Sequence, residues 1–140
     1  MWTPDLSKII TAADKAAGAR ASAETAIDAK RDRRIAGGFL FEGHVFQTRP
    51  GDRENMAGTS TAALAAIMNG AAAGGLHWHG GESDFAWIAE DNALVPMDAQ
   101  TMFAFGQAVM THKQSMIFAA RALNDMAEIP ADITDDANRP

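Results

Sequence analysis

The chain contains no cysteine, and this absence excludes several kinds of chemistry. Without thiols it can form no disulfide, no thiolate nucleophile and no zinc site built on cysteine ligands. This composition fits synthesis in the cytosol. Tyrosine is also absent, and large aromatic side chains are few, with 7 Phe and 3 Trp. Much of the 47% hydrophobic fraction is alanine, so the 140 residues predict one modest core that a partner could extend.

Positive charge and long apolar runs are also scarce. The 12 basic residues are outnumbered by 18 acidic ones, which gives a net charge of -6. Nucleic acids and anionic membranes bind basic faces, so the charge disfavours both as partners. No apolar run approaches the roughly 20 residues that span a bilayer, and the start MWTPDLSK has no apolar core of a secretory signal. We therefore expect a protein that is soluble, or assembled into something soluble, with neither nucleic acid nor membrane as partner.

Two long helices are predicted at the ends of the chain. Small or apolar residues recur every three to four positions from about 4 to 34, where Pro4 and Asp5 suit a first helical turn. A second helix is predicted over 98–127, with Asp98 as its N-cap. Its apolar stripe is the most regular pattern in the sequence and comprises Met102, Phe105, Val109, His112, Met116, Ala119, Leu123 and Met126.

Shorter elements are predicted between these helices. The alternating segment 38–48 predicts a β-hairpin that turns at Glu42-Gly43, because glycine tolerates positive φ. A short helix follows over 52–69, capped by Asp52, and a second hairpin over 86–96. The fold class is therefore α+β. We divide it into an N-terminal attachment or oligomerisation helix (1–34), a compact domain (35–129) and an acidic tail (130–140).

The segment GGLHWHGGESD is the strongest candidate for a chemical site. On a strand, His77 and His79 would share one face, and with Glu82 or Asp84 they could bind zinc or nickel. A catalytic zinc needs three protein ligands, however, and the flanking glycines argue against a rigid surrounding shell. We therefore predict a strand or loop in which Trp78 packs inward and the histidines face water. A surface that contacts another chain is the alternative.

No other catalytic pattern is present. His112 lies on the apolar stripe of the last helix, where a hydrogen-bonded core or interface histidine is expected rather than a base. The serines form no nucleophile elbow, and phosphate-binding glycine loops are absent. We expect no enzymatic activity, no metal and no cofactor.

Two strings in the sequence are similar to a known family. AKRDRRIAGGFLFEGHVFQTRPGDRENMAG, followed by WIAEDNALVPMDAQTMFAFGQAV and a long helix, resembles a domain-of-unknown-function family of tailed phages and prophages. That family often forms the C-terminal end of tail-fibre or tail-assembly-type proteins. The resemblance covers about residues 28–128 and transfers no functional residues. The short Ala-rich N-terminal region departs from the family pattern, as does AAAGGLHWHGGESD.

The resemblance implies a phage origin and a virion or tail-assembly context. We therefore expect a structural or adaptor component of the virion, associated with the tail or its fibres and made in the host cytoplasm. A fibre assembly factor absent from the mature particle is one alternative, and a small metal enzyme using His77 and His79 is another. Self-association through the long helices, as a trimer, is expected; pairing of the two helices within one chain is the alternative. The interface candidates are Leu6, Ile9, Phe105, Val109, His112, Met116, Leu123 and Trp78.

Overall fold

The computed structural model describes residues 11–130 and shows an α+β fold with three helices and two antiparallel hairpins. This confirms the predicted class and order of elements. Along the chain these are α1 (Ala12–Ala36), β1 (Phe39–Phe41), β2 (His44–Phe46), α2 (Pro50–Met68), β3 (Ala86–Ile88), β4 (Leu94–Pro96) and α3 (Ala99–Asn124).

The first helix begins later than its sequence pattern predicts. Thr11 is its N-cap: the Thr11 hydroxyl accepts a hydrogen bond from the Asp14 amide at 3.1 Å, and the Asp14 carboxylate accepts one from the Thr11 amide at 3.1 Å. This reciprocal capping box fixes the start of α1 at Ala12, and the predicted helical stretch from Pro4 to residue 10 lies outside the described residues. The candidates Leu6 and Ile9 lie outside the described residues.

The second helix also starts at a different residue. Asp52 was predicted as its cap, but α2 begins at Pro50, and the Asp52 side chain accepts a hydrogen bond from the Arg49 amide at 3.1 Å. Proline is well suited to the first helical position because its fixed φ is helical and it has no amide hydrogen to satisfy. That preference places the start of α2 two residues before the predicted one.

The third helix has the predicted start and an earlier end. Asp98 is the N-cap, and its side chain accepts a hydrogen bond from the Thr101 amide at 2.7 Å. The helix ends at Asn124 rather than near 127. There the Arg20 guanidinium of α1 donates to the Asn124 carbonyl and, at 3.1 Å, to the Ala127 carbonyl. Carbonyls that the helix end leaves without amide partners are thus satisfied from another element.

Both hairpins turn where the sequence predicts. In the first, Phe41 pairs with His44 across Glu42 and Gly43, which have φ of 49° and 83°. Two positive φ values are the mark of a type I′ turn, and its twist matches that of the strands. The second hairpin has a longer loop, closed by a 2.9 Å hydrogen bond from the Ala89 amide to the Ala93 carbonyl.

The main core is built around Phe105 of α3. Its ring centroid lies 5.0 Å from that of Phe41, 4.7 Å from that of Phe46 and 5.9 Å from that of Trp87. Both hairpins therefore present their inner faces to the same residue. The alternation predicted for them is confirmed, because Leu40 and Ile88, on the other faces, are exposed.

The inner face of α2 differs from the predicted one. The sequence predicts Leu64, Ile67 and Met68 as its apolar side. Ile67 does pack against the main core, but Leu64 and Met68 are 40% and 80% exposed. The buried residues of α2 are instead Met56, Ser60 and Ala63. A close approach to α3 requires small side chains on this face, and Ser60 packs directly against Gly106.

A second, smaller core joins α1 to α3 within the chain. Ile27 and Ala120 are buried against each other, with Leu123 and Ile129 packed beside them. The Asn124 amide also donates to the Asp28 carboxylate at 3.1 Å. Pairing of the two long helices inside one chain, expected as the alternative to a seam between chains, is thus present in the fold.

No helix within residues 11–130 combines the length and the apolar character needed to cross a bilayer.

Candidate interaction surfaces

The His-Trp-His segment is a turn and not a strand. The Gly80 amide donates to the His77 carbonyl at 3.1 Å, and Gly80 has φ of 85°. Glycine at this position allows the chain to reverse, which explains why the strand alternative was wrong. Trp78 points inward, as predicted: its indole nitrogen donates to the Met97 carbonyl at 3.0 Å, and its ring centroid lies 4.6 Å from that of Phe85.

The two histidines are exposed, and their side chains contact different residues. His77 Nε2 lies 3.0 Å from Asp84 Oδ1, while the His79 ring packs at a tilt of 59° against Phe85, with the ring centroids 5.4 Å apart. An imidazole and one carboxylate supply two metal ligands at most. In the part of the chain that the structure describes, no group of three or more metal-ligating side chains converges.

The glycine-rich segment around this turn is tied to the start of α3. Asp98 accepts a hydrogen bond from the Gly74 amide at 2.8 Å in addition to the one from Thr101. The pKa of the Asp98 carboxyl is lowered by hydrogen bonding, with the largest effect from the Thr101 side chain and smaller effects from the Gly74 and Thr101 amides. The Gln100 side-chain amide donates to the Ala71 carbonyl at 3.0 Å. The glycine-rich segment is therefore anchored at several points.

Most interface candidates on α3 face the inside of the chain. Phe105 and Val109 are buried in the main core, and Met116 and Leu123 are half-buried. His112 packs its ring at 5.1 Å on Phe39, and its Nε2 is buried without a hydrogen-bond partner. The sequence predicted a hydrogen-bonded histidine here, but His112 Nε2 has no such bond within the described residues. Trp78 is half-buried as well.

The apolar residues that do face outward include two cross-strand pairs on the hairpins. Leu40 lies opposite Val45, and Ile88 lies opposite Leu94; their exposed fractions are 66%, 41%, 60% and 69%. The hairpins are joined by a 2.8 Å hydrogen bond from the Glu90 amide to the Val45 carbonyl. Because both inner faces converge on Phe105, both outer faces point away from α3. We call Leu40, Val45, Ile88 and Leu94 the hairpin surface.

Acidic residues stand at the tips of both hairpins. Glu42 occupies the turn of the first, while Glu90 and Asp91 occupy the loop of the second, and all three are exposed. The hairpin surface is thus aliphatic with acidic residues at both hairpin tips, and Arg49 lines the same hollow as Ile88 and Glu90. The alternation of Leu40 with Phe39 and Phe41 was the available signal for it, because an alternating strand with large apolar residues on both faces has one face left to cover.

A second outward apolar site is a groove between α2 and α3, with a volume of about 350 Å³. Its lining is apolar along most of its length and includes Met56, Leu64, Phe103 and Met110, with Arg53 and Lys113 at one end. We call these six residues the helical groove. The two helices run antiparallel here, because Arg53 lies with Lys113 at one end and Ser60 meets Phe103 and Gly106 further along.

Comparison with known proteins gives a family match. The model of a family described as a domain of unknown function (DUF4376) matches residues 18–138. Comparison with curated proteins and with solved structures gives no significant match.

Proposed function

We propose that this chain, which belongs to the DUF4376 family of domains of unknown function, is a non-enzymatic structural or adaptor component of a phage virion, associated with the tail or its fibres and working as a homo-oligomer. The hairpin surface is the observation that carries the proposal of a binding role. The phage context is supported by the resemblance of residues 28–128 to a domain-of-unknown-function family of tailed phages and prophages.

The hairpin surface supports a protein contact on energetic grounds. Four large aliphatic side chains face solvent in two directly opposed pairs, so a flat partner could cover all of them together. Complete burial of one such side chain gains about 1.5–3 kcal/mol relative to exposure. Single exposed apolar residues are ordinary, but a joined group of this kind is typical of an interaction site.

Light scattering tests the oligomer. We expect multi-angle light scattering of the intact chain at micromolar concentration to give the mass of three chains, since a trimer is the expected state. A mass equal to one chain at all concentrations up to about 100 µM would refute self-association as part of this function. The measurement is independent of which surface forms the contact.

The place of the protein in the phage life cycle has its own test. Mass spectrometry of purified particles is expected to detect the chain as a virion component. A chain present in infected cells but absent from finished particles would instead be an assembly factor.

The metal-enzyme alternative is tested by elemental analysis. We expect protein purified without a histidine tag to carry far less than one transition metal per chain. A stoichiometric metal that disappears on changing His77 and His79 to alanine would favour the enzyme.

A further inference from the structure

We propose that the hairpin surface of one copy packs on the helical groove of a second copy, so that the oligomer is built head to tail. This inference rests on the proposed homo-oligomer and adds which two surfaces meet. It makes each contact heterologous, with different residues contributed by the two chains.

The helical groove offers the apolar half of such a contact. Met110 is 55% exposed and Leu64 40% exposed, and both border a hollow whose floor is made of smaller side chains. The groove spans α2 from Arg53 to Leu64, about three helical turns or roughly 16 Å. A three-residue strand spans about 10 Å, so one of the short hairpins fits within the length of the groove. Packing of a sheet face on a pair of helices is a common arrangement of layers in proteins.

Charge selects the pairing of unlike surfaces. The groove ends in Arg53 and Lys113, and within residues 11–130 neither forms an ion pair; Arg53 donates a 2.7 Å hydrogen bond to the Thr48 carbonyl. The hairpin surface ends in Glu42, Glu90 and Asp91. Opposite charges would therefore meet at the margin of a head-to-tail contact.

The two symmetric alternatives bring like charges together. A groove-to-groove contact would place the Arg53 and Lys113 side chains of both copies at one interface. A hairpin-to-hairpin contact would do the same with the acidic tips. A groove-to-groove contact brings no carboxylate to Arg53 and Lys113, and a hairpin-to-hairpin contact gives these two cations no ionic partner, so the head-to-tail contact is the arrangement that the charges favour.

A head-to-tail contact has a consequence for the assembly. Each copy has one hairpin surface and one helical groove, so two chains joined once still leave one of each free. Such contacts close into a ring when the rotation between copies permits it and otherwise extend into a filament. A ring of three satisfies every surface and agrees with the expected trimer.

Complementation between two variants tests the proposal. The hairpin variant carries Ile88→Glu and Leu94→Glu, and the groove variant carries Leu64→Glu and Met110→Glu, so that the two altered surfaces repel each other. All four positions are exposed, and unfolding midpoints will show that both variants fold. Each variant alone is expected to be monomeric in light scattering. Mixed in equal amounts, they are expected to form a dimer that grows no further, because one intact hairpin surface meets one intact groove.

The charge at the margin is tested separately. Lys113→Glu is expected to weaken the association of the otherwise intact chain about fivefold to tenfold, as measured by dilution in light scattering. Lys15→Glu makes the same change of charge on an exposed part of α1 outside the groove and is expected to leave association unchanged. Equal effects of the two substitutions would contradict the role given to Lys113.

The outcomes separate this inference from the proposed function. If the intact chain is monomeric, the homo-oligomer itself is refuted. If the intact chain associates but the two variants remain monomeric when mixed, or either variant alone keeps the full oligomer, the head-to-tail contact is refuted while the oligomer stands.

Discussion

At the scale of single residues, a few side chains hold several elements at once. Phe105 contacts rings from both hairpins, Asp98 accepts hydrogen bonds from the glycine-rich segment and from the first turn of α3, and Trp78 reaches back to Met97. Apart from the bond between Asp98 and Thr101, these contacts join parts of the chain that are distant in sequence. The fold therefore depends on a small number of positions more than its alanine-rich composition suggests.

Gly43 is one such position, because it lies in the turn with φ of 83°. A β-branched side chain is strained in this conformation, so Gly43→Val is expected to lower the free energy of unfolding by about 1 kcal/mol or more. Chemical denaturation measures the change. Gly58 is a suitable control: it lies within α2 with open space around its Cα, so Gly58→Ala is expected to stabilise by about 0.5–1 kcal/mol. An unchanged midpoint for Gly43→Val would contradict the turn geometry.

Asp98 links stability to pH. Its pKa is lowered in the folded state, so the ionised carboxylate adds stability above its unfolded pKa, and this contribution is lost as the pH falls through the folded value. Asp98→Asn keeps a hydrogen-bond acceptor and removes the charge. We expect it to cost about 0.5–1 kcal/mol at pH 7, from the lost attraction to the helix dipole and amides.

The pH dependence of the stability difference between the native protein and Asp98→Asn shows whether that difference comes from the charge of the carboxylate or from the shape of the side chain. Denaturation of both proteins from pH 7 to about pH 3 should show the difference shrinking below about pH 4 as the native carboxylate is protonated. A difference that stays constant over the whole range would mean that the charge is not its source.

At the scale of elements, the contact between α2 and α3 is set by small side chains. A Cβ added at Gly106 would overlap the Ser60 side chain, so the helices can approach this closely because position 106 has none. The same close approach shapes the helical groove, whose lining includes Gly106 and Ser60. The absence of a side chain at Gly106 thus contributes both to the packing of α2 on α3 and to the shape of the groove between them.

A double-mutant cycle tests this contact. Gly106→Ala is expected to destabilise by about 1–3 kcal/mol, because overpacking forces the helices apart and outweighs the better helix propensity of alanine. With Ser60→Gly already present, the added Cβ has room, and the same substitution is expected to cost much less or to stabilise. Additive effects in chemical denaturation would show that the two positions are not in close contact.

The elements themselves were largely predictable from the sequence because their signals are local. The turn at Glu42-Gly43, the cap at Asp98 and the alternation of Phe39, Leu40 and Phe41 each act within a few residues. Where local signals compete, the prediction failed. Pro50 takes the first position of α2 ahead of Asp52.

The surfaces were less predictable because they depend on tertiary packing. A pattern of hydrophobic residues does not reveal that Ser60 is buried and Leu64 exposed, since that choice follows from the close approach of another helix. The His-Trp-His segment looks like a strand until the positive φ of Gly80 is known. The stripe on α3 was visible in the sequence, but whether it faces its own chain or another was not.

At the scale of the whole molecule, α1 and the end of α3 hold each other in place. Arg20 donates to the carbonyl of Asn124, the last residue of α3, and to that of Ala127, and it pairs with Glu24 at 3.1 Å. Ile27 and Ala120 form the apolar contact beside it. Removal of α1 would expose this face of α3, so α1 is an integral part of the fold.

The Arg20 contacts give a measurable test of that link. Arg20→Ala is expected to lower the free energy of unfolding by about 1 kcal/mol, because carbonyls of the α3 terminus lose a charged donor. Arg121→Ala is the matched control: its ion pair with Asp125 is exposed and lies within one helix end, so about 0.5 kcal/mol or less is expected. If the two substitutions cost the same in chemical denaturation, Arg20 makes no special contribution.

The pairing of α1 with α3 also bears on how the chain emerges from a ribosome. Asp28 and Asn124, which bond across this contact, are 96 residues apart in the sequence. At synthesis rates of about 5–20 residues per second, α1 waits roughly 5–20 s for its partner to be made. During that interval a helix with a broad apolar face would attract chaperones or neighbouring nascent chains. The only large aliphatic residues of α1 are Ile27 and Ile35, and the rest of its apolar surface is alanine. The alanine-rich composition that makes the contact of α1 with α3 small therefore also keeps α1 soluble, without a chaperone, until α3 has been synthesised.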